Sequence, residues 1–140
     1  MTRRAVRARF STWPRGGSTL GIELDAARAS LARGKGHEVT AGDALSLAWP
    51  AADIIVANPP YRHAMAFVVR ALSEARGEVA FLLRLNWLGS LKRAAFHREH
   101  PSDIYVIPRR PSFTGGKVDA TEYAWYVWGP GRGGRWHILV

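Results

Sequence analysis

The tetrapeptide Asn58-Pro59-Pro60-Tyr61 stands directly after an apolar, β-branched run, residues 52–57. Two consecutive prolines fix two φ angles and delete two backbone donors. The outcome is a rigid corner that presents carbonyl oxygens with no competing N–H groups. The side-chain oxygen of Asn58 and the carbonyl of Pro59 can both accept hydrogen bonds from one NH2 group, and Tyr61 can stack on a planar substrate. An amide or aryl amine is a poor nucleophile because its lone pair is delocalised. Two acceptors drawing on its hydrogens favour the pyramidal geometry in which that lone pair attacks a methyl group. This is stabilisation by dipoles placed in advance, without a strong base. A Pro-Pro pair alone marks only a turn. Its weight here comes from the strand before it and the amphipathic helix after it.

The elements that must hold this corner alternate, which points to an α/β sheet. TLGIEL (19–24) reads as a short buried strand, Asp25 as a helix N-cap, and AARASLAR as a helix ending near Gly34. HEVTAG (37–42) is a further short strand. ADIIVA (52–57) suits a strand covered on both faces. Ala64, Phe67, Val68, Ala71, Leu72 and Ala75 follow helical spacing, and Gly77 is expected to end that helix. EVAFLLRLNWL (78–88) begins as strand and passes into loop, and Ser90 can cap a helix running to about Glu99. DIYVIP (103–108) and TEYAWYVW (121–128) are strands joined by a polar, glycine-bearing loop. GPGRGG is a turn, after which RWHILV can return as a last strand. In an open parallel sheet, ligands bind beyond the carboxyl ends of strands, where the Asn58 corner falls.

The chain has 140 residues, 47% of them apolar, enough for one domain with a hydrophobic core. It has no cysteine, which excludes disulfides, thiolate nucleophiles and cysteine-ligated zinc and fits a cytoplasmic protein. The histidines show no His-x-x-x-His spacing, and the close pair His97 and His100 suits a solvated helix end, so no metal site is expected. No apolar run reaches transmembrane length. The formal charge of +9 attracts polyanions, of which phosphate backbones are the commonest, although an arginine-rich composition also follows from a GC-rich genome. Arg3, Arg4, Arg7, Arg9 and Arg15 superficially resemble a transit peptide, but the helix-like stretch around them suits a domain helix better.

Asp53 to Tyr61 resembles the catalytic motif of amino-group methyltransferases, including the adenine-N6 DNA methyltransferases. Gly21-Ile22-Glu23-Leu24-Asp25 looks like that family's second cofactor motif. The match implies that Glu23 holds the cofactor ribose, and one carboxylate facing two hydroxyl donors is a good fit. Gly42-Asp43-Ala44-Leu45 looks like the third motif, in which Asp43, with Ala44 beside it, meets the cofactor's adenine amino group. The resemblance implies S-adenosylmethionine as cofactor, with Asn58 close to it. The fold it implies for residues 1–140 is one domain with a Rossmann-like, mostly parallel sheet and an antiparallel C-terminal strand. FLLRLNWLGS, PRRPSFTGG and DATEYAWYVW resemble phage and bacterial members of the superfamily. By that likeness Arg84 and Asn86 lie beside the Asn58 corner. Arg109, Arg110, Ser112 and Phe113 lie in the next loop, where arginines contact phosphates and Phe113 stacks on an extruded base.

The family's first motif, a strand and glycine-rich turn that packs against the methionine part of the cofactor, has no counterpart. Gly16-Gly17 follow no apolar strand, and Thr2 to Phe10 matches the helix after that turn. An amino-terminally truncated product, or a reading frame whose start is placed too late, is therefore expected. Its sheet would carry unpaired edges, or the GIEL and DIIVA strands would be forced together. The substrate expected is N6 of adenine in DNA. Glutamine-N5 and RNA guanine-N2 methyltransferases share the same motif and form the first alternative. A nucleic-acid-binding remnant without cofactor binding is the second.

Overall fold

A computed structural model describes residues 18–109, 111 and 121–140. The expected helix over Thr2 to Phe10, Gly16-Gly17, and the loop residues Arg110, Ser112 and Phe113 lie outside the described residues.

The chain alternates as the hydrophobic pattern requires. Strand β1 (Leu20–Glu23) leads to helix α1 (Ala26–Gly34) and strand β2 (Glu38–Ala41). Asp25 caps α1, its carboxylate accepting from the amides of Ala27 at 2.9 Å and Arg28 at 3.0 Å. Strand β3 (Ala52–Ala57), helix α2 (Ala64–Glu74) and strand β4 (Ala75–Arg84) form the centre, followed by helix α3 (Leu91–Glu99). Strands β5 (Asp103–Ile107), β6 (Tyr123–Trp128) and β7 (Trp136–Ile138) complete the described chain.

Two sheets result. β1 pairs with β2 in parallel, and the other five strands are ordered β3-β4-β6-β5-β7. β6 is antiparallel to both β4 and β5, while β3 and β4, and β5 and β7, pair in parallel. The mostly parallel sheet with an antiparallel strand near the C-terminus is therefore present. Among the described residues no strand joins β1 to β3. Among the described residues β1 and β3 are thus sheet edges that do not pair with each other.

Two local expectations need correction. Gly77 does not end α2. The helix stops at Glu74 and passes without a loop into β4, because Ala75 already has extended backbone. Gly77 lies inside β4, where a Cβ would meet the Asp53 carbonyl of β3 at 2.6 Å, so glycine serves close strand approach. Strand β3 is not covered on both faces by described residues either. Ile55 and Ala57 are buried against α2, but Ile54 and Val56 on the opposite face are only half-buried.

The core lies on the α2–α3 side of the larger sheet. Phe67, Val68 and Ala71 of α2 meet Val79, Phe81 and Leu83 of β4, with Trp87, Tyr126 and Trp128 extending the cluster. The glycine-rich turn before β7 is pinned by Asp103, which is fully buried. Its carboxylate accepts from the amides of Gly133 at 3.1 Å and Arg135 at 3.0 Å and pairs with the Arg135 guanidinium at 2.8 Å. Arg132 bridges Glu78 at 2.6 Å and the Tyr105 hydroxyl at 3.0 Å. The Arg135 guanidinium and the amides of Gly133 and Arg135 hold the Asp103 carboxyl well below the usual carboxylate range, against the opposing effect of burial.

Candidate active site

The Asn58 corner is the carboxyl end of β3. Pro59 is fully buried, whereas Asn58 and Pro60 are half-buried. The carbonyl of Pro60 accepts from the amide of His63 at 2.9 Å and starts a short turn that feeds α2. Buried Pro59 anchors the corner, and the side chain of Asn58 makes no hydrogen bond with another described residue.

The two candidate acids lie at the carboxyl ends of the paired strands β1 and β2. The amide of Gly42 donates to the carbonyl of Glu23 at 2.9 Å, which joins the two ends. Glu23 is 7% exposed and accepts from the amide of Asp25 at 3.0 Å through Oε1. Among the described residues its second oxygen has no hydrogen-bond donor. Gly42 has φ +152°, and a Cβ there would strike Leu47 at 2.6 Å, so glycine is what lets the chain turn into Asp43. Asp43 is exposed and accepts from the amide of Leu45 at 2.9 Å, while Ala44 is buried.

Arg70 of α2 ties this acid loop to the Asn58 corner. It donates to the carbonyl of Ala44 at 2.8 Å and to that of Leu47, and its guanidinium lies 4.8 Å from the centre of the Trp49 ring. Trp49 donates from Nε1 to the same Ala44 carbonyl at 2.6 Å. The sequence reading missed this clamp. The available signal was an arginine set in the most apolar of the described helices, on the same turn as Phe67 and Ala71.

Tyr61 sits at the other side of the corner. Its hydroxyl donates to that of Tyr123, and the Arg84 guanidinium lies 4.0 Å from its ring centre. The Tyr123 hydroxyl beside Arg84 holds its guanidinium above the ordinary arginine value, against the opposing effect of burial. Asn86 and Arg109 are exposed near the carboxyl ends of β4 and β5. The structure thus brings together Asn58, Pro59, Pro60, Tyr61 and Arg84, and separately pairs Glu23 with Asp43 and Ala44. Tyr123 was read only as part of an aromatic strand, with nothing in its spacing to single it out.

Among the described residues no group of three or more His, Asp or Glu side chains could hold a metal ion, and no helix is long and apolar enough to cross a membrane.

No protein-family profile matches the sequence, and no curated protein matches it. Solved structures do. A Listeria monocytogenes protein assigned to the class I S-adenosylmethionine-dependent methyltransferases superposes with a TM-score of 0.62 at 15% identity, over 87% of this chain and 49% of its own. The 23S rRNA methyltransferase ErmE gives 0.61 at 16% identity, over 83% and 54%. A dimethyladenosine transferase from Plasmodium falciparum gives 0.58 at 15% identity, over 80% and 47%. The chain spans about half the length of the structures it matches. Across that span it has the α/β fold of the class I methyltransferases.

Proposed function

We propose that the chain carries the acceptor-binding part of an S-adenosylmethionine-dependent methyltransferase whose target is the exocyclic N6 of adenine in DNA. One observation carries the reading. The half-buried Asn58 and the rigid Pro59-Pro60 pair form the carboxyl end of β3, and Arg70 ties the helix behind them to the Asp43 loop.

The residues present suit the cofactor's nucleoside half. Glu23 is a buried carboxylate with one oxygen left for hydroxyl donors, and Asp43 is an exposed one joined to it through the Gly42 amide. When bound, the cofactor supplies a methyl group on a positively charged sulfur. Asn58 and Pro59 accept the two hydrogens of the target NH2, so its lone pair localises on nitrogen. Pro60 and the buried Pro59 keep those acceptors from relaxing. The surplus proton leaves to water, and no group of the corner needs to act as a strong base. Tyr61 offers a ring face to the target base, which an enzyme must take out of the stack to reach N6. The exposed Arg109, with Arg110, Asn86 and Phe113, would contact the nucleic acid around it, and the net charge of +9 favours that partner over a peptide.

A second reading, adenine in RNA, draws support from the descriptions of two of the structural neighbours, an rRNA methyltransferase and a dimethyladenosine transferase. Tritium transfer from labelled cofactor to separated DNA, RNA and protein tests both. Label in DNA adenine is the expected result, label in RNA adenine selects the second reading, and label in protein alone overturns both.

A further inference from the structure

The ring of Tyr61 is already engaged from two directions. Its hydroxyl is bonded to Tyr123, which is fully buried at the start of β6, and the two rings lie 6.0 Å apart at 42°. Its face is covered by Arg84, whose guanidinium lies 4.0 Å from the ring centre. Arg84 ends β4 and is the register partner of Tyr123, so the sheet itself sets this arrangement. Tyr126, from the same strand, donates to the carbonyls of Arg84 at 3.1 Å and Leu85 at 3.2 Å and fixes the backbone beneath. The Nε of Arg84 is buried without a hydrogen bond, while its guanidinium is hydrogen-bonded to the tyrosine hydroxyls, that of Tyr123 first.

We propose that Arg84 and Tyr123 are positioning residues that fix Tyr61 and back its ring with a positive charge, and so select an aminopurine base as the amine-bearing group at the Asn58 corner. The inference rests on the nucleic-acid reading above and deepens it. A cation on one face of an aromatic ring draws π density toward itself. The opposite face is the one left for a second ring, and electron-rich purines stack best on such a face. A glutamine amide has too small a plane to gain comparably. The hydroxyl bond to Tyr123 fixes where the Tyr61 ring points, and Arg84 on its face opposes turning of the ring, so stacking costs less ordering on binding.

Two measurements on the full chain test this. The first uses 3-fluorotyrosine labelling and fluorine NMR, in which the four tyrosines give four resonances. Loss of one resonance in Tyr61→Phe assigns Tyr61. That resonance should move toward the free amino-acid position in Arg84→Gln and in Tyr123→Phe, and stay in place in Arg84→Lys. Tyr123→Phe keeps the buried ring, so it guards against a mere folding failure of Arg84→Gln. An unmoved Tyr61 resonance in both variants overturns the proposal.

The second measurement follows quenching of 2-aminopurine in a single-stranded DNA oligonucleotide. Arg84→Gln and Tyr123→Phe should weaken binding about tenfold, with Arg84→Lys near wild type. The salt slope should be unchanged, because Arg84 acts through Tyr61. A slope reduced by about one marks a phosphate contact instead and overturns the proposal. Tyr61→Ala separates the two readings. If it still quenches fully, stacking on Tyr61 fails and the functional reading loses that support. If it loses quenching while Arg84→Gln and Tyr123→Phe keep it, only the positioning role fails. A wild-type chain that does not quench 2-aminopurine overturns aminopurine selection itself.

Discussion

Arg70 of α2 donates to the carbonyl of Ala44 at 2.8 Å, so the helix that follows the Asn58 corner also carries the loop of Asp43. Among the described residues no strand is hydrogen-bonded between β1 and β3, and Arg70 joins the two parts alongside the apolar packing of Ile22, Ala44, Leu45 and Trp49. Arg70→Ala removes two charge-assisted hydrogen bonds and the stacking on Trp49. It should cost roughly 2–4 kcal/mol in urea unfolding, with the midpoint lowered and the slope little changed. Stability equal to wild type would show that the loop is held by apolar packing of Leu45 and Trp49 alone.

Glu23→Gln keeps the volume of the side chain and removes its charge. It should weaken S-adenosylmethionine binding by about tenfold in calorimetry, since hydrogen bonds to a charged acceptor contribute about 1.5–3 kcal/mol each. Fold stability should change little, because the Asp25 amide can still donate to the remaining carbonyl oxygen. Unchanged affinity would remove Glu23 from the cofactor site.

Much of this was legible in the residues. The α/β alternation, the Asp25 cap and the extent of β3 follow from apolar spacing and from capping chemistry, which are local. The Asn58 corner was legible for the same reason, since prolines impose their geometry on any chain. Arg70, Tyr123 and Asp103 were not, because their partners are distant in sequence. Arg70 reaches back to Ala44, Tyr123 meets Tyr61, and Asp103 meets Arg135. Gly77 misled for a related reason. A glycine after a helical run usually marks its end, but here a neighbouring strand's carbonyl at 2.6 Å from a Cβ sets the requirement.

Asp103 ties the turn before β7 to the sheet, and its partners hold the carboxyl below its unfolded value. The unfolded chain therefore binds a proton more readily. The stabilisation is complete above pH about 4 and is lost as pH falls below it. Thermal unfolding followed from pH 6 to pH 2 should show a falling Tm, and Asp103→Asn should flatten that fall while lowering the Tm at neutral pH. A variant with the wild-type acid profile would assign the acid sensitivity to other carboxylates.

His97 of α3 packs edge-on against Trp87 at 4.8 Å, and its Nε2 is buried without a partner. Burial lowers its pKa, the Trp87 backbone opposes this, and the charge of Arg93 lowers it further. Protonation is easier in the unfolded chain, so this contribution is full above pH about 6.5 and declines as pH drops through the lowered native value. His97→Phe should flatten the stability profile between pH 7 and 5. A profile unchanged by that substitution would show that His97 is solvated in both states.

The most direct test of the Asn58 corner is single-turnover methyl transfer to adenine-containing DNA by wild type and Asn58→Ala, with cofactor affinity measured alongside. Loss of one oxyanion-type contact slows such reactions by about 100- to 1,000-fold, so transfer should fall by that factor while cofactor affinity stays within about twofold. Transfer by Asn58→Ala at the wild-type rate would contradict the assignment of that corner as the amine-activating group.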